Sequence, residues 1–263
     1  MSRIVDVHAH ALVPEAQLLT GRATGAVESP RLPGHVLHRL VDLDARLEAM
    51  DAAGVDVQAV SVAPAQYHPG TDRRLAAELV GVVNDGLAGL VRRAPDRLVG
   101  ICTVALDHPD LAAEQLRRAV DDYDFRGVQI PPCAGGRDLS DRAFDPFWAI
   151  AEALAVPVFV RPPRRGPGGS PPVDGVLDRF PALVVCAAPG DGHSPRRYVD
   201  SPARSAGALR HLVDAAGSGR VLFGSDYPFG VDACRLPALL HALAPAEREA
   251  VGGGTARALL RLV

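Results

Sequence analysis

The sequence predicts an α/β protein built as a (β/α)8 barrel. Three observations point there: about eight short β-branched runs, helix-like segments between most of them, and a length of 263 residues. An open doubly wound sheet is the competing arrangement. No GxGxxG follows the first run and no GxxxxGK[ST] occurs, so nucleotide-binding forms of that sheet lose ground.

The elements follow in order. RIVDV, from Arg3, is an apolar strand ending in a His-rich turn. From Ala11 to His38 the chain is polar and punctuated by Pro and Gly, and is expected to be a long functional loop. Leu40, Leu43, Leu47 and Met50 repeat at helical spacing, with Gly54 as the stop. VQAVSVAP is the second strand, Arg73 to Arg93 a helix, and RLVGICTVAL the third strand. A helix from Asp110 to Val120, the strand RGVQI and a helix from Phe144 to Ala155 come next. PVFV is the fifth strand, followed by RPPRRGPGGSPPVDG, whose composition would also suit a domain linker. LVVCAA resumes the strand rhythm, so one barrel domain over 1–263 is expected, with shortened crossovers after strands five and six. RRYVD, a helix from Ala203 to Ala216, RVLFGSD and two helical segments complete the chain.

Composition removes several functions. The net charge of −3 with no basic block argues against nucleic-acid binding, and no apolar run approaches the roughly 18 residues of a membrane span. MSRIVDVHAH has no signal-peptide zones. Four scattered cysteines without a CxxC pair suit a reducing cytoplasm. All 28 basic residues are arginine. Schiff-base, phosphate-loop and carbamylated-lysine chemistries are thereby excluded.

Two segments carry candidate chemistry. His8 and His10 end the first strand, two residues apart and so on one side of it. Asp226, in GSDYP, ends the last strand, which barrel closure lays beside the first. Two histidines and a carboxylate around an open position make a workable site for Zn²⁺, Mn²⁺ or Fe²⁺. Taken singly, two solvated histidines and a turn aspartate would explain the same letters.

VDVHAH and VLFGSDYP resemble the signatures of the amidohydrolase superfamily. The interior segments RLEAMDAAGVDVQAVSVAP and RGVQIPPCAGGRDLSDRAFDPFWAIAEALAVPVFV resemble its 2-amino-3-carboxymuconate-6-semialdehyde decarboxylase branch, as do VLDRFPALVV and TARALLRL. The resemblance implies a barrel, often dimeric, whose mononuclear metal polarises a small anionic substrate for non-oxidative decarboxylation or hydrolysis. It carries over to His8, His10 and Asp226 as metal ligands, with zinc the expected ion.

Two family positions depart from the pattern. PVFVRP puts Arg161 where a strand-five histidine ligand is usual, and FPALVVCAAP puts Pro189 where the strand-six acid/base histidine is usual. Three consequences compete. Arg161 could bind the substrate carboxylate beside a three-ligand metal. It could instead pair with Asp226 in a metal-free site serving a hydrolase, cyclase, dehydratase or isomerase of a specialised biosynthetic pathway. Or the barrel could be a non-catalytic binding protein. A guanidinium next to a divalent ion is Coulombically unfavourable, which is the difficulty with the first. Asp226, Arg161 and His193 are the catalytic candidates, His193 as a substitute proton carrier four residues past Pro189. Arg161, His68, Cys133 and Tyr227 are the substrate-binding candidates. Trp148 reads as packing, and Arg164 and Arg165 as solvated loop charges.

Overall fold

In the computed structural model, residues 3–24, 32–161, 173–187, 197–201, 205–230 and 236–262 are described. Eight parallel strands form one sheet in sequential order: β1 (Val5–Ala11), β2 (Val57–Val62), β3 (Leu98–Thr103), β4 (Gly127–Ile130), β5 (Val158–Val160), β6 (Val185–Ala187), β7 (Arg197–Ser201) and β8 (Val221–Phe223). A parallel bridge between Ala9 and Tyr227, with His10 N–H donating to the Tyr227 carbonyl at 2.8 Å, brings the end of β8 back to β1. The expected (β/α)8 barrel is the fold.

Strand alternation builds two cores. Val158 and Val160, Val185 and Ala187, and Val221 and Phe223 pack outward on the helices in the larger cluster. The residues between them, Phe159, Cys186 and Leu222, fill the barrel with Val5, Val7, Ala59 and Ile101. The helices are α1 (Pro14–Thr24), α2 (Gly34–Val41), α3 (Leu43–Ala53), α4 (Arg73–Arg93), α5 (Pro109–Tyr123), α6 (Asp145–Ala153), α7 (Asp174–Arg179), α8 (Ala206–Ala216), α9 (Leu236–Leu240), α10 (Pro245–Glu249) and α11 (Thr255–Leu260). Among the described residues no helix is long and apolar enough to cross a membrane.

Two expectations are corrected. The stretch from Ala11 to His38 is not one loop, since it holds α1 and the start of α2. Pro14 starts α1 rather than breaking it, because a first-turn proline lacks only a hydrogen bond that position does not make. The single helix through Leu40 to Met50 is two: Asp42 is extended and caps α3, its carboxylate accepting the Ala45 N–H at 2.7 Å. Gly54 ends α3 in the left-handed region, φ 62°, as expected. The crossover from β5 to β6 holds only the six-residue α7 among its described residues. Trp148 is fully buried against Phe147, and its indole N–H donates to the Leu139 carbonyl.

Candidate metal centre

The end of β1 and the turn after β8 are locked together by one buried carboxylate. Asp6 accepts the His8 N–H (3.0 Å), the Ser225 N–H (2.9 Å), the Ser225 hydroxyl (2.6 Å) and the Gln58 amide (2.9 Å). Burial raises the Asp6 carboxyl above its ordinary range, against the pull of these bonds. Gly224 lets the two strands approach: a Cβ there would lie 2.7 Å from His8 Cβ. Asp226 takes a left-handed backbone, φ 57°, and its carbonyl accepts the N–H groups of Phe229 and Gly230. The turn thereby aims the Asp226 side chain at the histidines.

Three donor atoms converge there. His8 Nε2 and His10 Nε2 are 3.2 Å apart, and Asp226 Oδ1 is 3.7 Å from the first and 3.4 Å from the second. A point equidistant from all three lies about 2.0 Å from each, the length of a bond from zinc to an imidazole nitrogen or carboxylate oxygen. The far nitrogens face acceptors. His10 Nδ1 is 3.3 Å from the Val62 carbonyl, and His8 Nδ1 is 2.8 Å from Asp200 Oδ2, without hydrogen-bond alignment. Protons on both Nδ1 atoms direct both Nε2 lone pairs at one another, an arrangement that a cation between them stabilises. His10 is pushed down to about 4, first by burial and then by the positive charges of His8 and Arg161, against Asp226. It is neutral at pH 7, as a ligand must be. The donor set fits a divalent ion.

Of the alternatives open for Arg161, a pair with Asp226 is not the one found. Its side chain crosses the barrel and is clamped from four strands: Nε donates to Asp200 Oδ2 (3.2 Å), Nη1 to Gln129 Oε1 (2.9 Å) and Ser61 Oγ (3.2 Å), and Nη2 to the Val7 carbonyl. It is 3% exposed, with its guanidinium over the Phe159 ring. Asp200, at the end of β7, is the residue that sequence reasoning missed. Burial alone would raise its carboxyl, but His8 and then Arg161 outweigh this and hold it well below the usual carboxylate range.

Among the described residues, the other candidates supply no donor atom to this centre. His68, with φ 47°, and the exposed Cys133 both line an apolar cavity of about 230 Å³. It lies between the loops after β2, β3 and β4 and the first turns of α4, and neither His8, His10 nor Asp226 lines it. Asp107 roofs it, accepting the N–H groups of Gly70 and Gly135 at 2.6 and 2.7 Å. Tyr227 is buried under Arg46, its hydroxyl donating to the Arg39 carbonyl at 3.3 Å, so its ring packs on α2 and α3. His193, Pro189, Arg164 and Arg165 lie outside the described residues.

Known proteins share this architecture. The chain is 27% identical over 291 aligned positions to the gamma-resorcylate decarboxylase of Rhizobium sp. (strain MTP-10005), covering 86% of this chain and 89% of that one. It is 26% identical over 240 positions to the 2-amino-3-carboxymuconate-6-semialdehyde decarboxylase of Dictyostelium discoideum, covering 72% and 67%. Among solved structures, the 5-carboxyvanillate decarboxylase of Sphingomonas paucimobilis superposes with a TM-score of 0.84 at 19% identity, both chains covered completely. A dihydroxybenzoic acid decarboxylase of Polaromonas sp. JS666, solved with manganese and 2-nitroresorcinol, gives 0.81 at 20%, covering 100% and 98%. The relatives are thus decarboxylases of aromatic or unsaturated acids. The amidohydrolase family pattern itself matches residues 5–188 and 184–262. With that pattern running nearly end to end over a barrel whose first and last strands supply the convergent donors, the chain belongs to the amidohydrolase family.

Proposed function

We propose that the chain is a metal-dependent, non-oxidative decarboxylase of a small aromatic acid, working as one barrel domain. The observation that carries it is the convergence of His8 Nε2, His10 Nε2 and Asp226 Oδ1 on one point at the C-terminal mouth. The decarboxylase relatives set the reaction class. Zinc is the proposed ion, because two imidazoles and one carboxylate about 2.0 Å from a common point suit it. Manganese, present in three structural neighbours, is its competitor.

A divalent ion bound there supplies positive charge for the substrate carboxylate and for charge developing on the ring. The chain's own groups supply the rest. His8 and His10 are fixed, one by Asp200 and one by Val62, and His10 is neutral. Asp226, at the mouth, would face the ion through Oδ1 while its other oxygen passes a proton taken from solvent to the ring carbon that bears the carboxylate. That carbon–carbon bond then breaks, its electron pair returns to the ring, CO₂ leaves, and Asp226 recovers a proton from solvent. We assign His193 as a second proton carrier, and His68 and Cys133 as walls for the substrate's apolar part. The protein is proposed to act in the cytoplasm, and homodimerisation is carried from the family resemblance.

The test is turnover. Protein reconstituted with zinc or manganese is given 2,6-dihydroxybenzoate, 5-carboxyvanillate and other 2-hydroxybenzoates, and substrate loss with CO₂ release is followed. The proposal expects metal-dependent loss of at least one acid, abolished in Asp226→Asn. A metal-loaded protein inert to the whole panel would overturn it, as would turnover independent of metal.

A further inference from the structure

Granted the divalent site proposed above, the buried Arg161 beside it poses an electrostatic problem. The guanidinium cannot swing to solvent: it is 3% exposed and bonded to β1, β2, β4 and β7. A fixed positive charge in so dry a place repels a divalent cation far more than it would in water. One carboxylate oxygen links the guanidinium to a ligand imidazole. Asp200 Oδ2 is 3.2 Å from Arg161 Nε and 2.8 Å from His8 Nδ1. The other imidazole, His10, faces a neutral carbonyl instead. The charged acceptor therefore serves the ring that shares its oxygen with the arginine.

We propose that Asp200 is the positioning residue that makes this centre able to hold a divalent cation next to Arg161. It does two things at once. It turns His8 so that Nε2 faces Asp226, and it cancels the guanidinium charge before the cation arrives. Arg161 in turn is a brace acting through Asp200 rather than a group that touches substrate. The two side chains must then move metal affinity in opposite directions, although both belong to one buried network.

The experiment measures zinc dissociation constants by competition with a chromogenic chelator, alongside thermal melting of the metal-free proteins. Asp200→Asn is expected to weaken zinc about 10- to 100-fold, the usual scale for losing an outer partner of a ligand. Arg161→Gln, which leaves the Asp200 charge uncompensated, is expected to tighten zinc. The double variant, with neither charge, should recover most of the affinity lost in Asp200→Asn. Wild-type affinity in Asp200→Asn would overturn the inference. So would weaker zinc in Arg161→Gln, or a double variant no better than Asp200→Asn, because a merely structural pair loses affinity whichever member is removed. If Asp200→Asn fails to fold, the sign of the Arg161→Gln effect decides. A wild-type protein that binds no zinc or manganese would remove the metal reading itself, an outcome distinct from all of these.

Discussion

Gly224→Ala probes how finely the centre depends on the spacing of β1 and β8. The added Cβ would sit 2.7 Å from His8 Cβ, where ordinary carbon contacts need about a further 1 Å. Gly224 is buried and His8 half-buried, and their segments are tied together through Asp6, so relief must come from parting the strands. Opening the His8–Asp226 edge from 3.7 Å by about 1 Å moves the equidistant point from about 2.0 to about 2.3 Å from each donor, beyond zinc bond length. The overlap itself should cost about 1–3 kcal/mol of stability. Urea unfolding of the metal-free protein and zinc affinity by chelator competition read the two effects separately. Gly207→Ala is the control: it lies in α8 with nothing within 4 Å of its Cβ, and should be neutral or slightly stabilising. Unchanged zinc affinity and unchanged stability in Gly224→Ala would refute the reasoning.

Other expectations concern the flank of the barrel. Of the described cysteines, Cys133 should react with a thiol reagent in the native protein, while the buried Cys102 and Cys186, whose thiols burial pushes up, should react only on unfolding; peptide mass mapping distinguishes them. Partial burial lowers His68, so the unfolded chain takes up its proton first and stability falls as pH drops through the ordinary histidine range near 6.5. His68→Gln should shrink the loss of stability between pH 7.5 and 6, measured by urea unfolding. An identical pH profile in the variant would contradict that placement.

Much of the barrel is legible in the letters because strands alternate locally. Phe159 between two valines and Leu222 between Val221 and Phe223 mark buried strands, whose alternate residues the barrel then divides between its two cores. His8 and His10 are legible as a same-side pair two residues apart, although β1 shifts its register on β2 between Asp6 and Ala9, and Asp226 is legible through the closure that eight strands impose. The network beneath them was not. Asp200 ends RYVD as an aspartate that could cap a turn, and only the barrel sets it against His8 and Arg161, distant in sequence. Asp6 was hidden likewise: its bonds to Ser225 span almost the whole chain. Arg161 stands out in the letters as a departure from the family pattern, but which of its alternatives holds does not, because its direction across the barrel is set by the Phe159 ring and the Val7 carbonyl rather than by spacing. Helices α1 and α2 are hidden by their prolines and glycines, of which Pro14 and Gly34 mark helix starts.

The metal content of the purified chain tests the central claim most directly. After reconstitution with zinc or manganese and removal of excess ion, elemental analysis should find one divalent ion per chain in the wild type and none in His8→Ala/His10→Ala. A folded wild type that retains no ion, or a double variant that retains as much, would contradict the assignment of His8, His10 and Asp226 as a metal centre.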